Sequence, residues 1–266
     1  MSKNKGADIK RYWEIDAFRG FVIMCMIIFH TFFVMVFFDI VWIDLWSGFF
    51  WWFPRFIAGS FIFIVGVSLT ISYSRAKQKN TIKFKKFLIR GLKIMGIGFV
   101  ITAVTFIGFF VLENLTGIKQ LSKVVYFGIL HCIGLSIIIG SFFIRFKFIN
   151  LIIGLVILVF GFYINGMRFT FPWLFWLGFW PEGYSPIDYE PLLPWIGPMF
   201  LGLGFGNFVY KNGMRPFKMA ELSTDLLSQF FKGLGFLGRH SLIIYLIHVP
   251  TLAGIIFAVN WIIGMF

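Results

Sequence analysis

Seven stretches of this chain stay apolar for longer than a soluble core element needs, and no other feature narrows its fold so far. They cover 20–38, 54–74, 88–112, 122–144, 148–165, 191–210 and 240–262. A helix that crosses a bilayer takes about 20 mostly apolar residues. It can cross because its backbone N–H and C=O groups are satisfied within the segment. Barrel strands alternate between faces over about 10 residues, whereas these runs are apolar all round. Composition agrees: 59% of residues are apolar and 13% charged, too little polar surface to cover a soluble domain of this length. The chain reads as all-α, a polytopic integral membrane helical bundle of about seven spans in one domain over 1–266.

The basic residues orient it, with the N-terminus cytoplasmic and the C-terminus outside. The inner segments then hold Lys3, Lys5, Lys10, Arg11 and Arg19, the cluster from Arg75 to Lys93, Arg145 and Lys147, and finally Lys211, Arg215, Lys218, Lys232 and Arg239. Of the 24 Lys and Arg residues, only Arg55, Lys119, Lys123 and Arg168 fall on the outer side. The positive-inside rule predicts this asymmetry. The net charge of +13 is thereby read as topology and not as nucleic-acid binding, since the basic residues are split among short loops. The first apolar run exceeds the usual signal-peptide core of about 7–15 residues, and no small-x-small cleavage site follows it before Trp42. Cys25 and Cys132 lie inside spans and imply no disulfide framework.

Three stretches do not span. Residues 75–87 form a basic cytoplasmic loop. Residues 166–190 form the longest outer segment, rich in Phe and Trp and closing on Pro-Glu-Gly-Tyr-Ser-Pro-Ile-Asp-Tyr-Glu. Its aromatic part is too short to span, so it re-enters or lies along the outer surface. In 217–234, Met219, Leu222, Leu226 and Phe230 recur at helical spacing, which predicts an amphipathic helix at the cytoplasmic interface.

Ionisable side chains inside a bilayer are expensive and mark functional sites by default. Here they are His30, His131 and His248, with Arg55 near an outer edge. At 1.5 Å per residue, His30 lies about 15 Å, His131 about 14 Å and His248 about 12 Å from the starts of their spans. All three reach midplane depth, which suggests a common polar cavity; neutral histidines that bond a neighbouring carbonyl and pack are the plainer alternative. No His-x-x-x-His or Cys-x-x-Cys spacing supports a metal site, and none is expected. Ahead of His30 the chain reads Arg11-Tyr-Trp-Glu-Ile-Asp16-Ala-Phe-Arg19-Gly20, where Asp16 can cap the first helical turn and Arg19 shares its face.

This string resembles the start of membrane-bound acyltransferases, in which an Asp-x-x-Arg-Gly run precedes a histidine in the first span. It is most similar to the prokaryotic relatives of the heparan-α-glucosaminide N-acetyltransferase family. Further stretches are similar too: Phe63-Ile-Val-Gly66-Val-Ser68-Leu-Thr, Tyr126-Phe-Gly128-Ile-Leu-His131-Cys-Ile-Gly134, Asp188-Tyr-Glu-Pro-Leu-Leu-Pro-Trp195, and Leu237-Gly-Arg239-His240-Ser-Leu-Ile-Ile-Tyr245-Leu-Ile-His248. The lysosomal members are larger and use a histidine in the loop after the first span, a loop that holds none here between Asp39 and Phe53.

The resemblance implies a multi-pass protein of a prokaryotic cell membrane that moves an acyl group, acetyl first of all, from cytoplasmic acetyl-CoA or another acyl-CoA to an outer acceptor. The acceptor is an amino or hydroxyl group of a glycan or amino sugar. His30 or His131 is the implied general base, with direct transfer or an acyl intermediate on histidine or Cys132 both open. Arg19, Arg75 and Arg239, with His248, are the candidate donor-binding residues. Tyr184, Asp188, Glu190 and Trp195 are the candidates for the acceptor, and the outer aromatics otherwise serve as an interfacial belt. Membrane lipids are expected partners, nucleic acid is not, and a homo-oligomer is left open. A small-solute or proton-coupled transporter is the alternative function, since it too places histidines at midplane.

Overall fold

The computed structural model describes residues 11–117, 123–184, 186, 188–215 and 222–264. The named helices are α1 (Trp13–Phe37), α2 (Gly48–Gln78), α3 (Phe84–Thr116), α4 (Ile129–Phe143), α5 (Ile149–Asn165), α6 (Leu192–Val209), α7 (Leu226–Arg239) and α8 (Ser241–Ile263). Among the described residues, six helices are long and apolar enough to cross a membrane: α1, α2, α3, α4 with the 3-10 turn that extends it to Phe146, α6 and α8. α5 has 17 residues, about 26 Å at 1.5 Å each. That is just under the roughly 30 Å hydrocarbon core. The fold is thus a polytopic membrane bundle; among the described residues the extended pairing is one isolated bridge, Phe169 with Pro181.

Four helix starts lie well away from their expected places: α2 begins at Gly48 instead of 54, and the other three have a local cause. α1 begins at Trp13 and its N-cap is Tyr12, without a side-chain cap. Asp16 therefore lies within the first turn and pairs with Arg19 at 3.0 Å instead of capping. α4 begins at Ile129, because Gly128 takes an extended N-cap conformation; part of the expected span, 118–122, lies outside the described residues. The amphipathic helix starts at Leu226 rather than near 217, because Asp225 caps it and accepts from Ser228 N–H at 3.3 Å. Met219 lies outside the described residues, and Leu222 precedes the helix.

The chain divides into two compact units, Met1–Ile57 with Met219–Phe266, and Ala58–Lys218. The second is built on α6, whose Met199 and Leu203 are wholly buried with Ile62 and Leu69 of α2 and Ile137 of α4. In lipid the hydrophobic effect does little between helices, so close backbone packing carries their association. A Cβ added to Gly66 would lie 2.3 Å from the Met199 carbonyl oxygen, and one on Gly202 2.1 Å from that of Phe63. The first unit repeats the device where α1 crosses α7. There a Cβ on Gly20 would lie 1.9 Å from the Leu234 carbonyl oxygen, and one on Gly238 1.9 Å from that of Asp16.

The basic asymmetry makes a topological prediction. A reporter fused after Phe266 should be external, and one inserted in 77–83 cytoplasmic. Both reporters on one side of the membrane would refute the odd span count.

Candidate functional site

In the first unit, α1 and α8 bring His30 and His248 together, with ring centroids 4.7 Å apart and planes at 85°. The two rings are anchored alike. Nδ1 of His30 bonds the Met26 carbonyl at 2.9 Å, and Nδ1 of His248 bonds the Tyr245 carbonyl at 2.7 Å. A carbonyl only accepts, so Nδ1 carries the proton in both neutral rings and the lone pair is left on Nε2. This is the tautomer a general base needs. Phe29 and Phe33 pack edge-on to His30, and Tyr245 lies 5.7 Å from His248.

His131 belongs to the second unit and is anchored the opposite way. The backbone N–H of Gly128 donates to its Nδ1 at 3.2 Å, so the neutral ring must be protonated at Nε2. That nitrogen faces Thr102 Oγ1 at 3.4 Å, and Thr102 in turn donates to the Val125 carbonyl at 2.6 Å. The ring packs on Gly98, where a Cβ would sit 3.0 Å from it, and stacks on Phe127 at 5.4 Å. His131 thereby satisfies an N–H at the start of α4, as a capping residue does, with both of its nitrogens engaged. The shared cavity expected of three histidines becomes, in the structure, one pair and one capping residue. Thr102 is the partner that sequence reading missed; the pair of threonines, Thr102 and Thr105, in an apolar run was the available signal.

The acceptor candidates gather around the same end of α4. A Cβ on Gly128 would lie 2.3 Å from Oδ2 of Asp188, so this carboxylate sits at a helix start, where partial positive charge favours an anion. Glu190 N–H donates to the Phe127 carbonyl at 3.2 Å. Tyr184 meets Tyr126, Tyr189 and Phe175 at 5.9, 5.7 and 6.0 Å, and Trp180 Nε1 donates to its carbonyl at 2.8 Å. Burial above all pushes the phenols of Tyr184 and Tyr189 upward, so both remain hydrogen-bond donors at neutral pH. Trp195 lies apart from this cluster, buried in the core with Ile196 and Met199. Cys132 is wholly buried, its sulfur 3.8 Å from the Pro191 carbonyl and 3.9 Å from Ser136 Oγ.

The three arginines differ. Arg19 is partly buried against Asp16. Arg75 Nε donates to the Gly213 carbonyl at 3.3 Å and ties down the turn after α6. Arg239 is exposed in the last turn of α7.

No curated protein and no solved structure matches the chain. A family model described as "Heparan-alpha-glucosaminide N-acetyltransferase, catalytic" matches residues 11–250, a stretch that includes the paired histidines, the α4 capping histidine and all three arginines. The chain therefore belongs to this family of transmembrane acetyltransferases.

Proposed function

We propose that the protein transfers an acyl group, acetyl in the first instance, from cytoplasmic acyl-CoA to an amino or hydroxyl group of a sugar-type acceptor at the outer face of a prokaryotic cell membrane. The observation that carries the reaction chemistry is the anchoring of His30, whose Nδ1–H is held by the Met26 carbonyl so that Nε2 is the base. Nε2 takes the acceptor's proton as its nitrogen or oxygen attacks the thioester carbonyl, and the C–S bond breaks to release CoA. We read the transfer as direct, since Cys132 is fully buried with its sulfur near a backbone carbonyl. Family membership supports the donor. Arg239 is the readiest phosphate ligand, being exposed, with Arg19 and Arg75 as further charges on the inner side. Glu190, Asp188 and Tyr184 are the proposed acceptor contacts, because carboxylates and a neutral phenol hold ammonium and hydroxyl groups.

Binding of the donor tests this reading. Acetyl-CoA and CoA should raise the melting temperature of the purified protein, and glucosamine should be acetylated in the presence of acetyl-CoA. Arg239→Ala should weaken CoA binding by about 1.5–3 kcal/mol, the range for a charged hydrogen bond, and Arg75→Ala by a similar amount. CoA that neither binds nor stabilises the protein would point to transport instead. Unchanged CoA affinity in both variants would move the donor site elsewhere.

A further inference from the structure

His248 carries one nitrogen that its structural role does not use. The residue is 7% exposed, and its Nε2 is buried without a hydrogen-bond partner among the described residues. A buried polar atom left unsatisfied is disfavoured and calls for a role. The neighbouring ring, 4.7 Å away, is His30, which also presents an Nε2 lone pair because its Nδ1–H is held by Met26. Two lone pairs cannot bond each other. The rings meet edge to face, so with a proton on one Nε2 a turn of either ring would let that nitrogen donate to the other. A second proton would set two cations side by side, so the arrangement suits one shared proton.

We propose that His30 and His248 act as one acid–base pair that carries the proton of acyl transfer from the acceptor to the leaving thiolate, a proposal that rests on the acyltransferase reading above. The acceptor's N–H or O–H bond breaks and its proton passes to Nε2 of His30 as the acceptor bonds the acyl carbon. The C–S bond breaks with its electron pair on sulfur. The proton then passes through Nε2 of His248 to that sulfur, giving CoA thiol and restoring both neutral rings. The proton lost by the acceptor is the one gained by the thiolate, so no further reactant is needed. His248, expected from the resemblance to hold the donor, thus gains a chemical role.

Asparagine at 248 can keep the N–H donated to the Tyr245 carbonyl while deleting Nε2. Glutamine keeps a polar group at the ε position that cannot carry a proton. The full chain with His248→Asn, and separately His248→Gln, is assayed for acetyl transfer to glucosamine, for acetyl-CoA affinity and for melting temperature. Turnover should fall about 10²-fold, with acetyl-CoA affinity within about twofold of wild type. The double variant His30→Asn/His248→Asn should be no slower than His30→Asn alone, because groups that act as a unit are lost only once. Wild-type turnover in a folded His248 variant, multiplicative losses in the double variant, or a loss of acetyl-CoA affinity matching the loss of rate would each overturn the pair. With His30→Asn inactive, those results leave the acyltransferase reading standing; an active His30→Asn protein removes the base and the pair together.

Discussion

His30→Asn should retain acetyl-CoA binding and lose about 10²–10⁴ in acyl-transfer rate, the usual worth of general-base assistance. Asparagine can keep the bond to the Met26 carbonyl that orients the native ring at 2.9 Å, so the helix should tolerate it. Donor affinity should not move, because a base acts on the acceptor's proton and not on CoA. His131→Ala should behave in the opposite way. It leaves the Gly128 N–H, now 3.2 Å from Nδ1, without its acceptor at the start of α4. The cost of such an orphaned buried group is about 1–3 kcal/mol, read as a lower melting temperature with much of the specific activity kept. The measurement is a pair of rates and a pair of melting curves on the two purified variants. An active but destabilised His30→Asn protein, beside a stable and inactive His131→Ala protein, would transfer the role of base to His131.

Gly20→Leu should abolish recovery of folded protein. The ideal Cβ at this position already lies 1.9 Å from the Leu234 carbonyl oxygen and 2.6 Å from its carbon. That obstacle is backbone, which cannot rotate aside as a side-chain end can. Overpacking a core commonly costs about 1–3 kcal/mol; here α1 and α7 must move apart bodily, so even Gly20→Ala should exceed the upper figure. The loss would reach His30, which α1 carries ten residues beyond Gly20. Gly96→Ala and Gly108→Ala on α3 are the controls: nothing lies within 4 Å of a Cβ at either site. Both should be neutral or stabilising by about 0.5–1 kcal/mol, since alanine favours a helix interior over glycine. Size-exclusion profiles in detergent separate the outcomes, and a monodisperse Gly20→Leu protein would disprove the crossing as described.

The spans were legible where hydropathy alone sets them. α5, α6 and α8 begin and end within a residue or so of the expected 148–165, 191–210 and 240–262. Apolarity is a property of each residue separately and can be summed along the chain. The starts of α1, α2, α4 and α7 were less legible, because helix boundaries depend on caps and neighbours. The Asp225 cap is a short polar signal that an apolar periodicity obscures. The Asp16–Arg19 pair was readable from its spacing of three, a local geometric fact.

The sequence by itself determined that this is a helical membrane protein and which family motifs it carries, since both follow from residue type and position along the chain. The midplane depth expected of His131 did not hold along α4, where it lies in the first turn. Tertiary structure alone decided what each histidine is bonded to. Depth comes from counting residues, but the direction in which a side chain points depends on how its helix is rotated against its neighbours. The α1–α7 glycine crossing and the packing of α8 set that rotation for His30 and His248, and place the rings 4.7 Å apart although the residues are far apart in sequence. His131, at the same expected depth, meets Gly128 N–H and Thr102 instead. A hydrogen bond to a carbonyl and one from an N–H leave opposite nitrogens of an imidazole with the proton, so His30 and His248 keep a lone pair on Nε2 while His131 spends its Nδ1 lone pair on capping α4.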